Sequence, residues 1–407
     1  TLTINGERLM QMMGTIGAIG ALPNGGVRRL AFGPEDVQAR QQVQHWMKAA
    51  GMTVTIDAAG NIIGRYRGRF PHAPALATGS HLDTVPNAGI YDGTYGVLAG
   101  VEAARTLHDR GIYPDHPIEV IVFADEERTM IGSKAMAGTA HYSDADFYHR
   151  LDGTPIQTCL QRIGGDWDQL TTAQRTAQDI AAYLELHVEQ GGVLETVDCQ
   201  IGVVQGIVSL QRYLVTILGR PNHAGTTPMD MRQDALYAAS LLVAAVHDAA
   251  VPGDQVATVG YLTVTPNAAN IVPGQVDLTI DLRDLSLETI ETMVNALQQR
   301  VREIEATTGT QIQLERQHAV EPTLASPNIQ ETIATVCDSL DLSHYSMPSR
   351  AIHDAQEIGR FTQMGMIFVP SQAGVSHAED EYTSPEQCGQ GADVLLNTLL
   401  QLDRWLP

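Results

Sequence analysis

The chain of 407 residues has few cysteines. Its four cysteines, Cys159, Cys199, Cys337 and Cys388, are far apart in the sequence and form no CxxC pair. A disulfide framework or a thiolate zinc site therefore has little support. This cysteine usage fits the reducing cytosol, and we expect a cytoplasmic protein.

Positive charge is also scarce, with 25 basic against 47 acidic residues and a formal net charge of -22. A field of this sign repels nucleic acids and anionic membrane surfaces. Neither is therefore expected as a partner.

Long apolar runs are absent, since no uninterrupted run reaches the roughly 18 residues of a membrane helix. The segment TLTINGERLMQMMGTIGAIG carries Glu7 and Arg8 before its apolar part, and we expect it to form the first helix of the fold. A hydrophobic fraction of 43% and a charged fraction of 18% are typical of a folded globular chain.

The first part of the chain alternates helix and strand patterns. Residues 35–50 have helical spacing, and a hairpin with a turn at Gly60 and Asn61 follows. The apolar run PALATG, a long helix closed by Gly111 and the apolar strand PIEVIVFA come next. Strand, helix and buried strand in this order predict an α/β sheet flanked by helices.

The middle of the chain has a different pattern. From about Val208 the order strand, helix, strand, strand, helix, strand predicts a compact α+β unit, and helix–strand alternation resumes near Glu321. We expect an α/β domain with a mostly parallel mixed sheet, formed by residues 1–207 and 320–407 and interrupted by an inserted α+β domain at 208–319.

Several motifs carry residues suited to metal binding. In TGSHLDTV, His81 and Asp83 share a face of an extended backbone, so the carboxylate can orient the imidazole of a metal ligand. A surface histidine–aspartate pair is the alternative. In NAGIYDGTYG, flanking glycines allow a loop to carry Asp92 into a cleft, although an Asp-Gly turn has the same pattern.

The strand PIEVIVFA ends in the acids Asp125, Glu126 and Glu127. Neighbouring residues of a strand point to opposite faces, so Glu126 and Glu127 can serve one site only if the chain turns there. The carboxyl ends of parallel strands are where open α/β sheets bind ligands. A solvated strand end is the alternative.

Two further histidines follow apolar runs. His187 lies in LELHVEQGG, where a core hydrogen bond is the alternative to a metal ligand, and His377 lies in a Gly- and Ser-rich loop after the strand MIFVP. With the earlier candidates they form a set of imidazoles and carboxylates that suits zinc, manganese, cobalt or nickel. A bridging aspartate suits a site for two metal ions.

These residues resemble the M20-type metallo-amidohydrolases, in particular the branch of N-carbamoyl-L-amino acid hydrolases, β-ureidopropionases and allantoate amidohydrolases. The resemblance covers nearly the whole chain. It is carried by TGSHLDTVPNAGIYDGTYGV, FADEE, ELHVEQGGVLE, NHAGTTPMDMRQDAL, NIVPG, IDLRD, IHDAQE and GVSHAEDEYTSPE. NHAGTTPM combined with LHVEQG is specific.

The resemblance implies five ligands for two divalent metal ions: His81 and His187 on one ion, Glu127 and His377 on the other, and Asp92 bridging. Asp83 would orient His81, and Glu126 would be the general base.

The resemblance also implies that substrate is bound by Gln190, His223, Asn270 and Arg283. The inserted domain would act as a lid and as the interface of a homodimer, so that His223 would act on the site of the partner subunit. The sequence itself agrees about Arg283, because in DLTIDLRDL the apolar residues alternate with it and leave it on the polar face. A guanidinium can hold a carboxylate by two parallel hydrogen bonds, although a surface pair with Asp281 or Asp284 is the alternative.

The sequence departs from the branch at two positions. The branch has glycine after the paired glutamates, where this chain has Arg128, and glycine before HDAQ, where this chain has Ile352. Both changes add bulk near the expected pocket and put the size of the substrate in question.

The implied activity is hydrolysis of the ureido C–N bond of a small N-carbamoyl-L-amino acid to the amino acid, ammonia and carbon dioxide. Allantoate amidohydrolase is the alternative within the branch, and a metallo-dipeptidase or aminoacylase is the alternative within the wider family. A non-catalytic, metal-bearing binding protein is the alternative from another class.

Overall fold

The computed structural model describes residues 1–251 and 253–406; Pro252 and Pro407, which the expected domain ranges include, lie outside the described residues. The chain divides into two compact units. One comprises Thr1–Gly206 and Leu324–Pro407, and the other comprises Ile207–Thr323.

The helices are α1 Gly6–Gly17, α2 Pro34–Ala49, α3 Thr94–Asp109, α4 Ile131–Ala137, α5 Ala145–Tyr148, α6 Ile156–Arg162, α7 Val193–Thr196, α8 Ala235–Ala250, α9 Leu287–Thr308, α10 Pro327–Ser339, α11 Asp354–Ile358 and α12 Pro385–Trp405. Short 3-10 turns lie at Tyr142–Asp144, Trp167–Ala173, Met229–Met231 and Gln372–Gly374.

The strands are β1 Thr53–Ile56, β2 Ile62–Tyr66, β3 Ala75–His81, β4 Ile118–Phe123, β5 Ile180–Val188, β6 Ile201–Ile207, β7 Ser209–Leu218, β8 Asn222–His223, β9 Val256–Thr265, β10 Ile271–Val272, β11 Gln275–Asp284, β12 Gln311–Val320, β13 Thr323–Leu324, β14 His344–Ser349 and β15 Gln363–Val369.

The large sheet has the order β1-β2-β4-β3-β5-β15-β6-β13, and β14 also pairs with β6. Its centre is parallel, because β3 runs parallel to β4 and β5, and β15 runs parallel to β5. The hairpin β1–β2 and the pairing of β2 with β4 are antiparallel. The prediction of an α/β fold with a mostly parallel central sheet is confirmed.

The central strands are buried on both faces, in agreement with their largely apolar sequences. Every residue of β3 and β4 is buried, and the apolar sides of α1, α3 and α12 pack into the same core. The start of α12 is fixed by a capping box, in which the Ser384 hydroxyl accepts the Gln387 N–H and the Gln387 side chain accepts the Ser384 N–H.

The second unit has an antiparallel sheet with the order β12-β7-β11-β9. Buried residues alternate along β11, and Leu278, Ile280 and Leu282 form a core with apolar residues of α8 and α9. This is the face that the alternation in DLTIDLRDL predicts. The short strands β8 and β10 form a separate antiparallel pair in the same unit.

In the described part of the chain, none of the helices combines the length and the apolar character that crossing a membrane requires.

Candidate metal centre

The candidate ligands of the first unit stand at the carboxyl ends of neighbouring parallel strands. His81 is the last residue of β3, and His187 is the last but one of β5. Glu127 follows β4, and His377 lies in the loop after β15. Because β4, β3, β5 and β15 are adjacent in the sheet, their carboxyl ends meet at one edge, where open α/β sheets form their ligand sites.

The two glutamates are brought to one site by a turn directly after β4. Asp125 has a left-handed backbone (φ 56°), which ends the alternation of strand faces. The Asp83 carboxylate holds this turn, since it accepts the N–H groups of Glu126 (3.3 Å) and Glu127 (3.1 Å). The turn that the sequence requires for a shared site is therefore present.

Asp92 stands between the histidines, and its two oxygens face different partners. Oδ1 lies 3.2 Å from Nε2 of His187 and 3.5 Å from Nε2 of His81. Oδ2 lies 3.1 Å from Nε2 of His377. Two groups of possible ligand atoms share Asp92: His81, Asp92 and His187 in one, and Asp92, Glu127 and His377 in the other.

The hydrogen bonds of the two buried histidines leave Nε2 available as a ligand atom. Nδ1 of His81 lies 2.9 Å from the main-chain oxygen of Asp83, and Nδ1 of His187 lies 2.8 Å from that of Val188. A carbonyl oxygen only accepts, so each Nδ1 carries the ring proton. Nε2 of His187 accordingly accepts the Gly93 N–H at 3.2 Å. This tautomer is the one that binds metal through Nε2.

The contacts of Asp83 differ from the expected ones in detail. Its main-chain oxygen orients His81, whereas its carboxylate oxygen Oδ1 is 3.8 Å from Nδ1 of that ring. The carboxylate instead orders the backbone that carries Glu126 and Glu127.

The second group of ligand atoms includes a buried oxygen without a hydrogen-bond partner. Oε1 of Glu127 has no partner among the described residues, and it lies 3.6 Å from Nε2 of His377. A buried carboxylate oxygen left unpaired is costly, and a bound cation would satisfy it. The side chain of His377 is 47% exposed, whereas those of His81 and His187 are almost fully buried.

The pKa values of the carboxylates reflect their crowding. Burial raises the pKa of Glu126 well above its usual range; the nearby His81 opposes this rise, and Glu127 adds to it. Burial and the charge of Asp92 raise the pKa of Glu127 to about 7. Burial by itself would raise the pKa of Asp92, but the imidazoles of His187, His377 and His81 beside it hold it well below its usual range.

The imidazoles respond to the same carboxylates. Burial lowers the pKa of His81, but the neighbouring carboxylates of Glu126, Asp83 and Asp92 have the larger, opposite effect. The pKa of His81 is therefore well above its usual range. The hydrogen bond to Asp92 raises the pKa of His377 to about 9. The cluster thus attracts positive charge, which bound divalent cations would supply in place of protons.

Gln190 lies beside these groups, with a left-handed backbone (φ 61°). Its side-chain N–H donates to Asp92 Oδ2 at 2.8 Å and to the Ser376 hydroxyl at 3.2 Å. Its Oε1 is buried without a partner among the described residues. An acceptor is thus available beside the candidate ligands.

The remaining candidates belong to the second unit. His223 is exposed in β8, and its Nδ1 accepts the N–H groups of Gly225 (3.0 Å) and Thr226 (3.2 Å). Asn270 is its neighbour, since its main-chain oxygen accepts the Ala224 N–H at 2.9 Å. The ring proton of His223 therefore stands on Nε2, which makes this atom a hydrogen-bond donor.

Arg283 lies on β11, and its Nε donates to Asp281 Oδ1 at 2.8 Å. Asp281 also accepts a hydrogen bond from Arg212 at 2.7 Å. The local pairing that the sequence leaves open as an alternative is thus observed within this unit.

Several buried polar residues around the ligands were not among the candidates predicted from the sequence. Glu185 accepts hydrogen bonds from the Ser80 hydroxyl (2.8 Å) and the Tyr183 hydroxyl (3.1 Å). The ring of His353 packs edge-on against that of His187, with 4.5 Å between centroids. Glu381 accepts main-chain N–H groups next to Asp92. The sequence signals for these residues are polar character in or beside apolar strands and glycine-rich loops and, for His353 and Glu381, their places in the motifs IHDAQE and GVSHAEDEYTSPE.

Arg128 lines a cavity of about 310 Å³, whose wall also includes Asp83 and Glu127. Its side chain is exposed, and its guanidinium donates to the main-chain oxygen of His149. The expected bulk beside the candidate site is therefore present at this position. Ile352 is half-buried and precedes His353.

The donor set fits divalent cations. Its atoms are imidazole nitrogens and carboxylate oxygens within 4.8 Å of one another in each group. Mixed ligands of this kind suit zinc, manganese, cobalt or nickel. A cation held by this group would also satisfy the unpaired Oε1 of Glu127.

An α/β sheet with such ligands at its carboxyl edge defines the class of metal-dependent hydrolases that the sequence resembles. Residues 77–401 match the sequence model of the peptidase family M20/M25/M40. The chain belongs to this family, whose enzymes use divalent metal ions.

Similar proteins of this family are amidohydrolases. The N-carbamoyl-L-amino acid amidohydrolase of Geobacillus stearothermophilus is 40% identical over 98% of this chain and 99% of that protein. The allantoate amidohydrolase of Bacillus subtilis is 35% identical over 94% of each chain. The crystal structure of an amidase of the hydantoinase/carbamoylase family from Burkholderia multivorans has a TM-score of 0.93 and 36% identity, over 98% of each chain.

Proposed function

We propose that this protein hydrolyses the ureido C–N bond of N-carbamoyl-L-amino acids, giving the amino acid, ammonia and carbon dioxide. The observation that carries the proposal is the pair of ligand groups joined by Asp92, together with 40% identity to an N-carbamoyl-L-amino acid amidohydrolase over 98% of the chain.

Two divalent cations would be held by the two groups of ligands. His81 and His187 would hold one, Glu127 and His377 the other, and Asp92 would belong to both. When bound, such ions lower the pKa of water toward about 7 and polarise a carbonyl oxygen.

Glu126 would be the general base. Its Oε2 lies 3.4 Å from Nε2 of His81, so it stands beside the ligands. Burial raises its pKa, which suits a carboxylate that takes a proton from the attacking water and returns it to the leaving nitrogen. Asp83 would keep this glutamate in place through its hydrogen bond to the Glu126 N–H (3.3 Å).

Four residues would bind the substrate. The buried Oε1 of Gln190 offers an acceptor for the terminal amide. Arg283 and Asn270 would bind the substrate carboxylate, and the Nε2–H of His223 would donate to the carbonyl oxygen, where negative charge develops. We further propose that residues 208–319 form a lid and the interface of a homodimer, with His223 acting on the site of the partner subunit.

Allantoate is the alternative substrate, because an allantoate amidohydrolase is 35% identical over 94% of the chain. Both substrates carry a ureido group beside a carboxylate, so the residues above would serve either one. The higher identity to the carbamoylase favours N-carbamoyl-L-amino acids.

A substrate panel tests the proposal. Protein stripped with a chelator and reloaded with manganese, zinc, cobalt or nickel would be assayed for ammonia release from N-carbamoyl-L-amino acids and allantoate, and for dipeptide cleavage. We expect metal-dependent release from N-carbamoyl-L-amino acids, with the D enantiomers as matched controls. Cleavage of dipeptides alone, or of allantoate alone, would overturn the proposal.

A further inference from the structure

Glu381 is a buried carboxylate that binds the backbone of the Asp92 loop. Its side chain contacts the ligand loop without joining either ligand group: among the described residues, it belongs to none of the sets of atoms that could hold a metal ion. Its Oε1 accepts the N–H of Tyr91 at 3.0 Å and the N–H of Asp92 at 3.1 Å. Two consecutive peptide groups therefore depend on one oxygen of this side chain.

The same contact joins the two loops that carry Asp92 and His377. Glu381 is in the loop of His377, and its Cβ approaches Gly89 so closely that a Cβ on this glycine would lie 2.5 Å away. The ring of Tyr91 packs edge-on against that of Tyr382, with centroids 6.0 Å apart. These two packing contacts, together with the hydrogen bonds of the Glu381 carboxylate, hold the two loops against each other.

This geometry matters because Asp92 faces different histidines with its two oxygens. A rotation of the peptide between Tyr91 and Asp92 would move Oδ1 relative to His187 and Oδ2 relative to His377, which lie 3.2 Å and 3.1 Å from these oxygens. Hydrogen bonds that orient ligands in this way typically change metal affinity about 10- to 100-fold when they are removed.

We propose that Glu381 is a positioning residue, which sets the metal affinity of the site by holding the backbone of Asp92. The inference rests on the role of Asp92 as a metal ligand in the proposed function. Glu381 acts through Asp92 and takes no part in proton transfer.

Glu379 supplies a matched control. It is exposed, lies two residues before Glu381, and accepts a hydrogen bond from the Asn87 side chain at 2.7 Å. It therefore links the same two loops through side chains, without holding the peptide of Asp92. The Glu379→Gln variant removes the same charge from the same loop.

The experiment compares metal binding by the wild-type protein and the variants Glu381→Leu, Glu381→Gln and Glu379→Gln. Each metal-free protein is titrated with manganese or zinc against a chelating dye, and its melting temperature is measured before metal is added. We expect about a 10- to 100-fold loss of affinity in Glu381→Leu. We expect a smaller loss in Glu381→Gln, whose amide oxygen still accepts hydrogen bonds, and none in Glu379→Gln.

Metal affinity and melting temperature together distinguish a positioning role of Glu381 from a role in stability alone. If Glu381→Leu or Glu381→Gln melts at a lower temperature but binds metal as the wild type does, the inference is overturned. An equal loss of affinity in Glu379→Gln overturns it as well. If Glu381→Leu does not fold, the Glu381→Gln titration decides. The titration needs no substrate, so an inactive protein that binds metal normally would contradict the proposed reaction without affecting this test.

Discussion

The backbone of Gly93 packs against the imidazole of His81 so closely that a Cβ on this glycine would lie 2.4 Å from Nε2. Gly93 also has a left-handed backbone, with φ 66°, and its N–H donates to Nε2 of His187. The glycine after Asp92 is therefore required by conformation and by the space that the ligands occupy.

The Gly93→Ala variant should lose metal binding and activity, because its methyl group would displace the His81 ring. Gly111→Ala is the matched control: Gly111 has φ 65°, but nothing lies within 4 Å of its added Cβ. Both variants place alanine at a positive φ, but only the Cβ of Gly93→Ala meets the His81 ring, so only this variant should lose metal. Metal content measured after gel filtration checks this. Equal metal content in the two variants would show that the close contact is unimportant.

The Asp83→Asn variant should lower kcat/KM by about 10- to 100-fold, as expected for a group that orders metal-site residues. The asparagine side chain has one oxygen, so it can accept the N–H of Glu126 or of Glu127, whereas its NH2 group cannot accept the other. Asp57→Asn is a suitable control, because Asp57 accepts the N–H groups of Ala59 and Asn61 in the hairpin between β1 and β2. Steady-state kinetics should show a loss for Asp83→Asn alone, and an equal loss in both variants would point to general destabilisation.

Removal of metal should destabilise the first unit. A ligand present at about 100 times its Kd stabilises the folded state by about 2.7 kcal/mol, and the candidate ligands of this site lie in that unit. Hydrogen exchange should show faster exchange around Asp92 and His377 in the chelated protein, with little change along β11. An equal loss of protection from hydrogen exchange in both units would contradict a metal site formed by the first unit alone.

Shortening Arg128 should change the size of substrate accepted, because this side chain lines the cavity beside Glu127. In Arg128→Gly, kcat/KM for bulky N-carbamoyl acids should rise relative to N-carbamoylglycine by at least about 10-fold, the scale of one methylene in a pocket. Arg128→Lys retains most of the bulk and should stay near the wild type. An unchanged ratio in Arg128→Gly would mean that the cavity does not receive the substituent.

The sequence predicts the fold where its patterns are periodic. The alternation of apolar residues predicts the buried face of β11 correctly, because side chains alternate between the two faces of a strand. The apolar runs predict correctly that β3 and β4 are buried on both faces. The short helices α4 to α7 have too few turns to show a period. The candidate ligands could be named because each lies at the end of a buried strand or in the loop after it, and parallel strands align their carboxyl ends.

The supporting contacts could not be predicted from the sequence. In EDEYTSP the acids Glu379, Asp380 and Glu381 are adjacent, and no pattern indicates which one turns inward to accept the Asp92 N–H. The left-handed turn at Asp125 likewise occurs at a non-glycine residue, where sequence gives no warning. Such contacts depend on how distant loops meet.

The roles of Glu126 and Glu127 are tested most directly by ammonia release from the Glu126→Gln and Glu127→Gln variants, measured together with their metal content. If Glu126 is the base and Glu127 a ligand, Glu126→Gln should keep its metal and lose about 10²- to 10⁴-fold in rate, whereas Glu127→Gln should lose metal. Unchanged ammonia release in Glu126→Gln, or a loss of metal equal to that of Glu127→Gln, would contradict the account.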